Sequence, residues 1–156
     1  MGSSSLRSII IELILDVLFT QVGRKKYRFL SSELGHNIDK SNNLSYDIAI
    51  FEKTVLTAEM IDVHHVKIAP KIVIEIDVRI DLENTSDLEY IDAKTQKVLD
   101  AGTEKLIWIF TKTQKIIIAE PDKNWEIVFW NKSIQLIDNQ FINIHDLLKE
   151  EGILLK

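Results

Sequence analysis

The chain has 156 residues, 46% of them hydrophobic and 28% charged, with a formal net charge of −5 and no cysteine. That length suits one domain with a real core, and the lack of cysteine excludes disulfides, thiolate metal ligands and cysteine nucleophiles. The acidic balance argues against an open, non-specific nucleic-acid coat but leaves room for a local basic groove, because an acidic metal site itself adds negative charge.

The expected organisation is a flexible segment over 1–5 followed by a single domain over 6–156. Residues 6–21 read as the first helix. Leu6, Ile10, Leu13, Ile14, Val17 and Leu18 make a wide apolar face, Glu12 and Asp16 a narrow polar stripe, and Gly23 ends the helix. Those two acids also interrupt the apolar run from Ile9 to Phe19, which is too short to span a membrane and too charged for a signal-peptide core. A cytoplasmic chain without a membrane partner is expected. Arg24 to Arg28 is a basic cluster, read as solvated surface or as phosphate contact, just before a strand at 26–31.

Residues 31–43 are turn-prone and read as a loop. The next strand, 44–51, puts Leu44, Tyr46, Ile48 and Ile50 on one face and Asp47, Ala49 and Phe51 on the other. Residues 52–69 are mixed; adjacent His64 and His65 would point to opposite faces of a strand and make poor joint ligands. Residues 71–80 form the densest aliphatic run of the chain. Ile72, Ile74, Ile76, Val78 and Ile80 share one face, and Val73, Glu75, Asp77 and Arg79 share the other. Such a run predicts a central strand covered on both sides. Two carboxylates within it need partners, because an unpaired buried charge is costly. The partners are either cations from elsewhere in the fold or a metal ion.

After a loop over 81–85, Ser86 followed by Glu89 predicts a capping box, opening a helix that runs to about Ala101 and closes at Gly102. Leu88, Ile91, Thr95, Val98 and Leu99 form its apolar face. Lys94 projects from the edge of that face and calls for an anion on the sheet, which Glu75 and Asp77 can supply. The rest is β-rich. A hairpin joins 105–110 to 115–119, short strands follow at 125–130 and 133–137, and an amphipathic turn closes at 143–148. Trp108, Trp125 and Trp130 read as core or interface residues rather than base-stacking platforms.

Three stretches together carry a resemblance: Ser45-Tyr46-Asp47; Ala69-Pro70 leading to Glu75; and Asp92-Ala93-Lys94 through Gly102 to Leu106-Ile107-Trp108-Ile109. Their order and spacing resemble the Uma2-type restriction endonuclease family of the PD-(D/E)XK nuclease superfamily, over roughly residues 7–148. The resemblance implies an α/β fold, restriction-endonuclease-like, with a mixed central β-sheet flanked by helices and a β-rich C-terminal half. It makes Asp47 the metal-binding aspartate and Glu75 the acidic motif position. The usual lysine two residues after that acid is absent, Asp77 standing in its place, and Lys94 matches the position to which that family moves it. Tyr46 stands where proline is common, and Val98 where tyrosine is common.

The implied function is hydrolysis of DNA phosphodiester bonds with Mg²⁺ or Mn²⁺. The implied site is Asp47, Glu75 and Asp77 as metal ligands, with the Ile76 carbonyl as a neutral ligand and Lys94 as the catalytic cation. Glu12 is a further acidic candidate, with helix solvation as its plain reading. The implied assembly is a homodimer. Two other readings stay open. Glu75 and Asp77 can form a metal-free ion network with Lys94 and Arg79, giving a degenerate nuclease fold that binds nucleic acid or a protein partner without cleavage. Alternatively, an interaction or small-molecule module reuses the fold.

Overall fold

The structure, a computed structural model, describes residues 2–77, 84–153 and 155. Val78, Arg79, Ile80 and the expected loop as far as Glu83 lie outside the described residues, and with them the pairing expected of Arg79.

The first helix, α1 (Ser5–Val17), is capped by Ser4, whose side chain accepts a hydrogen bond from the Arg7 amide. It continues into a wider π-helical turn, Leu18–Val22, and stops at Gly23, whose φ of +82° a side-chain-bearing residue rarely adopts. Ile10, Ile14, Val17 and Leu18 are buried, as their spacing predicts, and Glu12 and Asp16 are exposed.

Next come β1 (Tyr27–Leu30), β2 (Leu34–Asn37), β3 (Asn43–Tyr46) and β4 (Ile48–Glu52). Two sequence expectations fail here. The stretch 31–43 is not all loop, because β2 pairs antiparallel with β3 to make a separate ribbon. Its turn is closed by Asp39, whose carboxylate accepts from the amides of Ser41 and Asn42, each at 2.9 Å. The polar residues that read as loop are those that build this turn. Nor is 44–51 one strand. It breaks at Asp47, and the alternation shifts by one residue across the break. Tyr46 packs in the same cluster as Ala49 and Phe51, while Ile48 and Ile50 enter the other core.

Beyond the exposed short helical turn Ala58–Met60 lies the expected central strand, β5 (Ile72–Asp77). The second helix, α2 (Thr85–Asp100), begins one residue before Ser86. Its cap is Asn84, whose side-chain oxygen accepts from the amides of Ser86 and Asp87. The acceptor thus sits two residues earlier than the capping-box reading placed it. Ile91, Thr95, Val98 and Leu99 are buried on α2, whereas Leu88 is exposed. The strands β6 (Lys105–Phe110), β7 (Lys115–Ala119), β8 (Glu126–Phe129), β9 (Ile134–Ile137) and β10 (Gln140–Ile142) lead to α3 (Ile144–Glu150).

Among the described residues six strands form one mixed sheet in the order β1-β4-β5-β6-β7-β8. The pair β5–β6 is parallel, with α2 as its crossover, and the other pairs are antiparallel. Ile72, Ile74 and Ile76 face α1, α3 and the β9–β10 ribbon; Val73 faces α2 with Trp108 and Phe110. Both faces are therefore covered, which is why β5 tolerates so few polar residues. Trp108 and Trp130 are buried core residues, and Trp125 packs at the edge of the α2-side cluster. No described helix is long and apolar enough to cross a membrane.

Candidate active site

The antiparallel register of β4 with β5 sets Ile48 opposite Ile74 and Ile50 opposite Ile72. Carried one residue further, it brings Asp47 level with Glu75. Asp47 sits where the chain bends between β3 and β4, and its Oδ2 accepts the Ile76 amide at 2.8 Å. That bond stands where a ladder bond would otherwise run and accounts for the break in the strand. Glu75 and Asp77 share the α2 side of β5 through the two-residue strand period. From α2, Lys94 donates to Glu75 Oε1 at 3.1 Å and to the Ser45 carbonyl at 3.0 Å. Its ammonium also lies 5.6 Å from the centre of the Trp108 ring.

Asp47, Glu75, Asp77 and Lys94 therefore line one open cavity of about 380 Å³, together with Ser45, Ile76 and Tyr90. The first helix contributes Arg7, which the sequence reading missed. Its guanidinium donates to Asp47 Oδ1 through Nη2 and to the Ile76 carbonyl through Nε at 3.0 Å. The signal for it was available: Arg7 lies three residues before Ile10 and seven before Ile14, on the buried stripe of α1, by the same spacing that singled out Lys94 on α2. Glu33, in the turn between β1 and β2, also reaches the cavity and was hidden by the loop reading of 31–43. Glu12 is exposed and lines a separate surface cavity with Asp16, Phe19 and Glu151. The Ile76 carbonyl is engaged by Arg7. His64 and His65 lie on the surface, where His65 meets Asn37 and His64 meets Asp62.

Burial dominates the electrostatics. Glu75 is pushed up to about 8 from its ordinary 4.5, first by burial and then by the neighbouring charge of Asp47, against the lowering effect of Lys94. The Tyr46 phenol is raised by burial and by Glu75. It bonds His36 Nδ1 at 2.7 Å, and burial lowers the pKa of that histidine. This buried pair anchors the end of β3 beside Asp47.

As they stand, Asp47 is paired with Arg7 and Glu75 with Lys94, and among the described residues no three His, Asp or Glu side chains are grouped as a ready metal cage. The chemistry of the donors nonetheless fits a hard divalent cation. They are oxygens only, drawn from the bend between β3 and β4 and from β5, and they line one open cavity.

No family model matches the chain, and no curated protein matches it. Among solved structures it is similar to the crystal structure of a candidate nuclease belonging to DUF820 from Anabaena variabilis. The TM-score is 0.70 at 18% identity, covering 96% of this chain and 83% of that one. At that identity the likeness is one of fold. The chain has the expected mixed α/β architecture, a six-stranded mixed sheet flanked by helices.

Proposed function

We propose that the chain is a divalent-cation-dependent endonuclease that hydrolyses DNA phosphodiester bonds at the cavity between β5 and α2. The observation that carries this reading is the convergence of Asp47, Glu75, Asp77 and Lys94, from three separate segments, on one cavity. Asp47, Glu75 and Asp77 would hold Mg²⁺ or Mn²⁺. When bound, that ion supplies a water activated near neutral pH and relief of phosphate charge.

The chain's own groups have distinct tasks. The Ile76 amide holds the Asp47 carboxylate in a fixed orientation. The Ser45 carbonyl, Glu75 and the Trp108 ring hold the Lys94 ammonium at the wall of the cavity, so its charge need not reorganise as negative charge develops on a phosphate. Burial of Glu75 keeps water from screening that charge.

We also assign a homodimer as the working assembly. Ile127 and Phe129 are exposed on β8, one of the two edge strands of the sheet among the described residues, which offers apolar area and a strand edge to a second copy. Light scattering at a mass twice 18.0 kDa would support it, and a monomer at high concentration would exclude it.

One observation favours a second reading, a nuclease fold that binds nucleic acid or a protein partner without cutting: Arg7 and Lys94 already pair with Asp47 and Glu75. Plasmid cleavage with Mg²⁺ or Mn²⁺, run beside Glu75→Ala and Lys94→Ala, separates the two. Cleavage by wild type that both substitutions and a chelator abolish supports the endonuclease. Absence of cleavage, or cleavage that survives both substitutions, favours the binding protein.

A further inference from the structure

We infer that Arg7 is the internal counter-ion of this cavity, occupying the oxygens a divalent cation needs, so that loading the site is a cation exchange in which Arg7 leaves Asp47. The inference rests on the metal-dependent reading above and adds a residue and a step to it.

One guanidinium bridges two oxygens that face each other across the β4–β5 junction. Nη2 donates to Asp47 Oδ1, and Nε donates to the Ile76 carbonyl at 3.0 Å. The second oxygen of Asp47 is taken by the Ile76 amide. Arg7 therefore holds the carboxylate oxygen that the backbone leaves over, together with the carbonyl that lies between the two acids of β5. A cation bound by Asp47 through that oxygen competes with the guanidinium for it, because two positive charges would meet on one nearly buried carboxylate.

The fold makes the exchange feasible without moving the helix. The Arg7 backbone is fixed, its amide bonded to Ser4 and the residues one and two turns on, Ile10 and Ile14, sealed in the core. The side chain is long, is 19% exposed, and borders open cavity space lined by Gly2, Ser3 and Ser4. It can swing away while its Cα stays in place. Lys94 differs, being tied at once to Glu75, to the Ser45 carbonyl and to the face of Trp108. Arg7 is the displaceable cation and Lys94 the permanent one. In the exchanged state the guanidinium remains at the cavity wall, planar and charged, suited to pairing with a phosphate oxygen.

The test is direct Mn²⁺ binding by calorimetry and by the loss of the free-ion electron paramagnetic resonance signal, on wild type, Arg7→Gln and Arg7→Lys, with folding checked by circular dichroism. Arg7→Gln should bind Mn²⁺ more tightly than wild type by at least roughly tenfold, the change that one charge-assisted hydrogen bond corresponds to. Arg7→Lys, which keeps the charge but cannot bridge both oxygens, should fall between them.

An Arg7→Gln affinity equal to or weaker than wild type overturns the exchange. If wild type also binds Mn²⁺ and cleaves DNA, the endonuclease reading survives that result. Absence of Mn²⁺ binding in both wild type and Arg7→Gln overturns exchange and metal site together. Should Arg7→Gln not fold, the ¹⁵N signal of Arg7 Nε in wild type decides. A shift on adding Mg²⁺, with loss of hydrogen-exchange protection, supports release from the Ile76 carbonyl, and an unmoved, protected signal overturns it.

Discussion

Lys94 and Glu75 meet at 3.1 Å across the interface of α2 and β5, both nearly buried, with side-chain exposures of 11% and 9%. The pair is poised rather than saturated. Burial outweighs the lysine and leaves Glu75 with a raised proton affinity, so the carboxylate at the centre of the sheet holds its proton close to neutral pH.

This gives stability a defined pH dependence. Glu75 has an ordinary value of 4.5 and is pushed up to about 8 in the fold, so between those values the folded chain binds more protons than the unfolded one. Stability from this group is therefore greatest below about 4.5, falls as the pH rises through that window, and is constant above about 8. Lys94 and Asp47 are the charged groups that bear on it. Urea denaturation of wild type and Glu75→Gln at several pH values should show the variant gaining on wild type as the pH rises, by on the order of a few kcal/mol. A stability difference independent of pH would contradict the buried, proton-holding Glu75.

Behind that pair, Trp108 Nε1 donates to Thr95 Oγ1 at 2.9 Å, with both residues inside the α2 face of the sheet. Thr95→Val keeps the shape and leaves the indole N–H without its acceptor. The expected loss is about 1–3 kcal/mol, with a shift in tryptophan fluorescence. Thr95→Val as stable as wild type would show that the indole finds another partner.

The two capping assignments for α2 separate cleanly by substitution. Asn84→Ala removes the acceptor for the amides of Ser86 and Asp87 and should cost about 1 kcal/mol. Ser86→Ala, inside the first turn, should cost much less. Chemical denaturation of both variants compares them, and a larger loss at Ser86 would restore the capping box read from the sequence.

Much of the architecture was legible because it follows from local periodicity. The alternation in 71–80 placed a covered central strand, and the helical spacing of Ile91, Thr95 and Val98 put Lys94 on the sheet side of α2, facing Glu75. The same spacing applied to α1 would have marked Arg7, but an arginine in a first turn reads as surface until a partner is known. The break at Asp47 was not legible. Alternation assumes an unbroken ladder, and the ladder yields there to a carboxylate that accepts an amide from a strand 29 residues later in the chain.

Side-chain pattern alone marks β5, β6 and α2 as core segments and requires the acids of an apolar strand to meet positive charge. Those facts follow from side-chain period and from the cost of an unpaired buried charge. Which cations answer depends on how distant segments pack. The partners of Asp47 and Glu75 come from α1 and α2, which cover opposite faces of the sheet. Contacts between distant segments depend on how the sheet and its two covering layers pack, and that packing brings Arg7 onto Asp47.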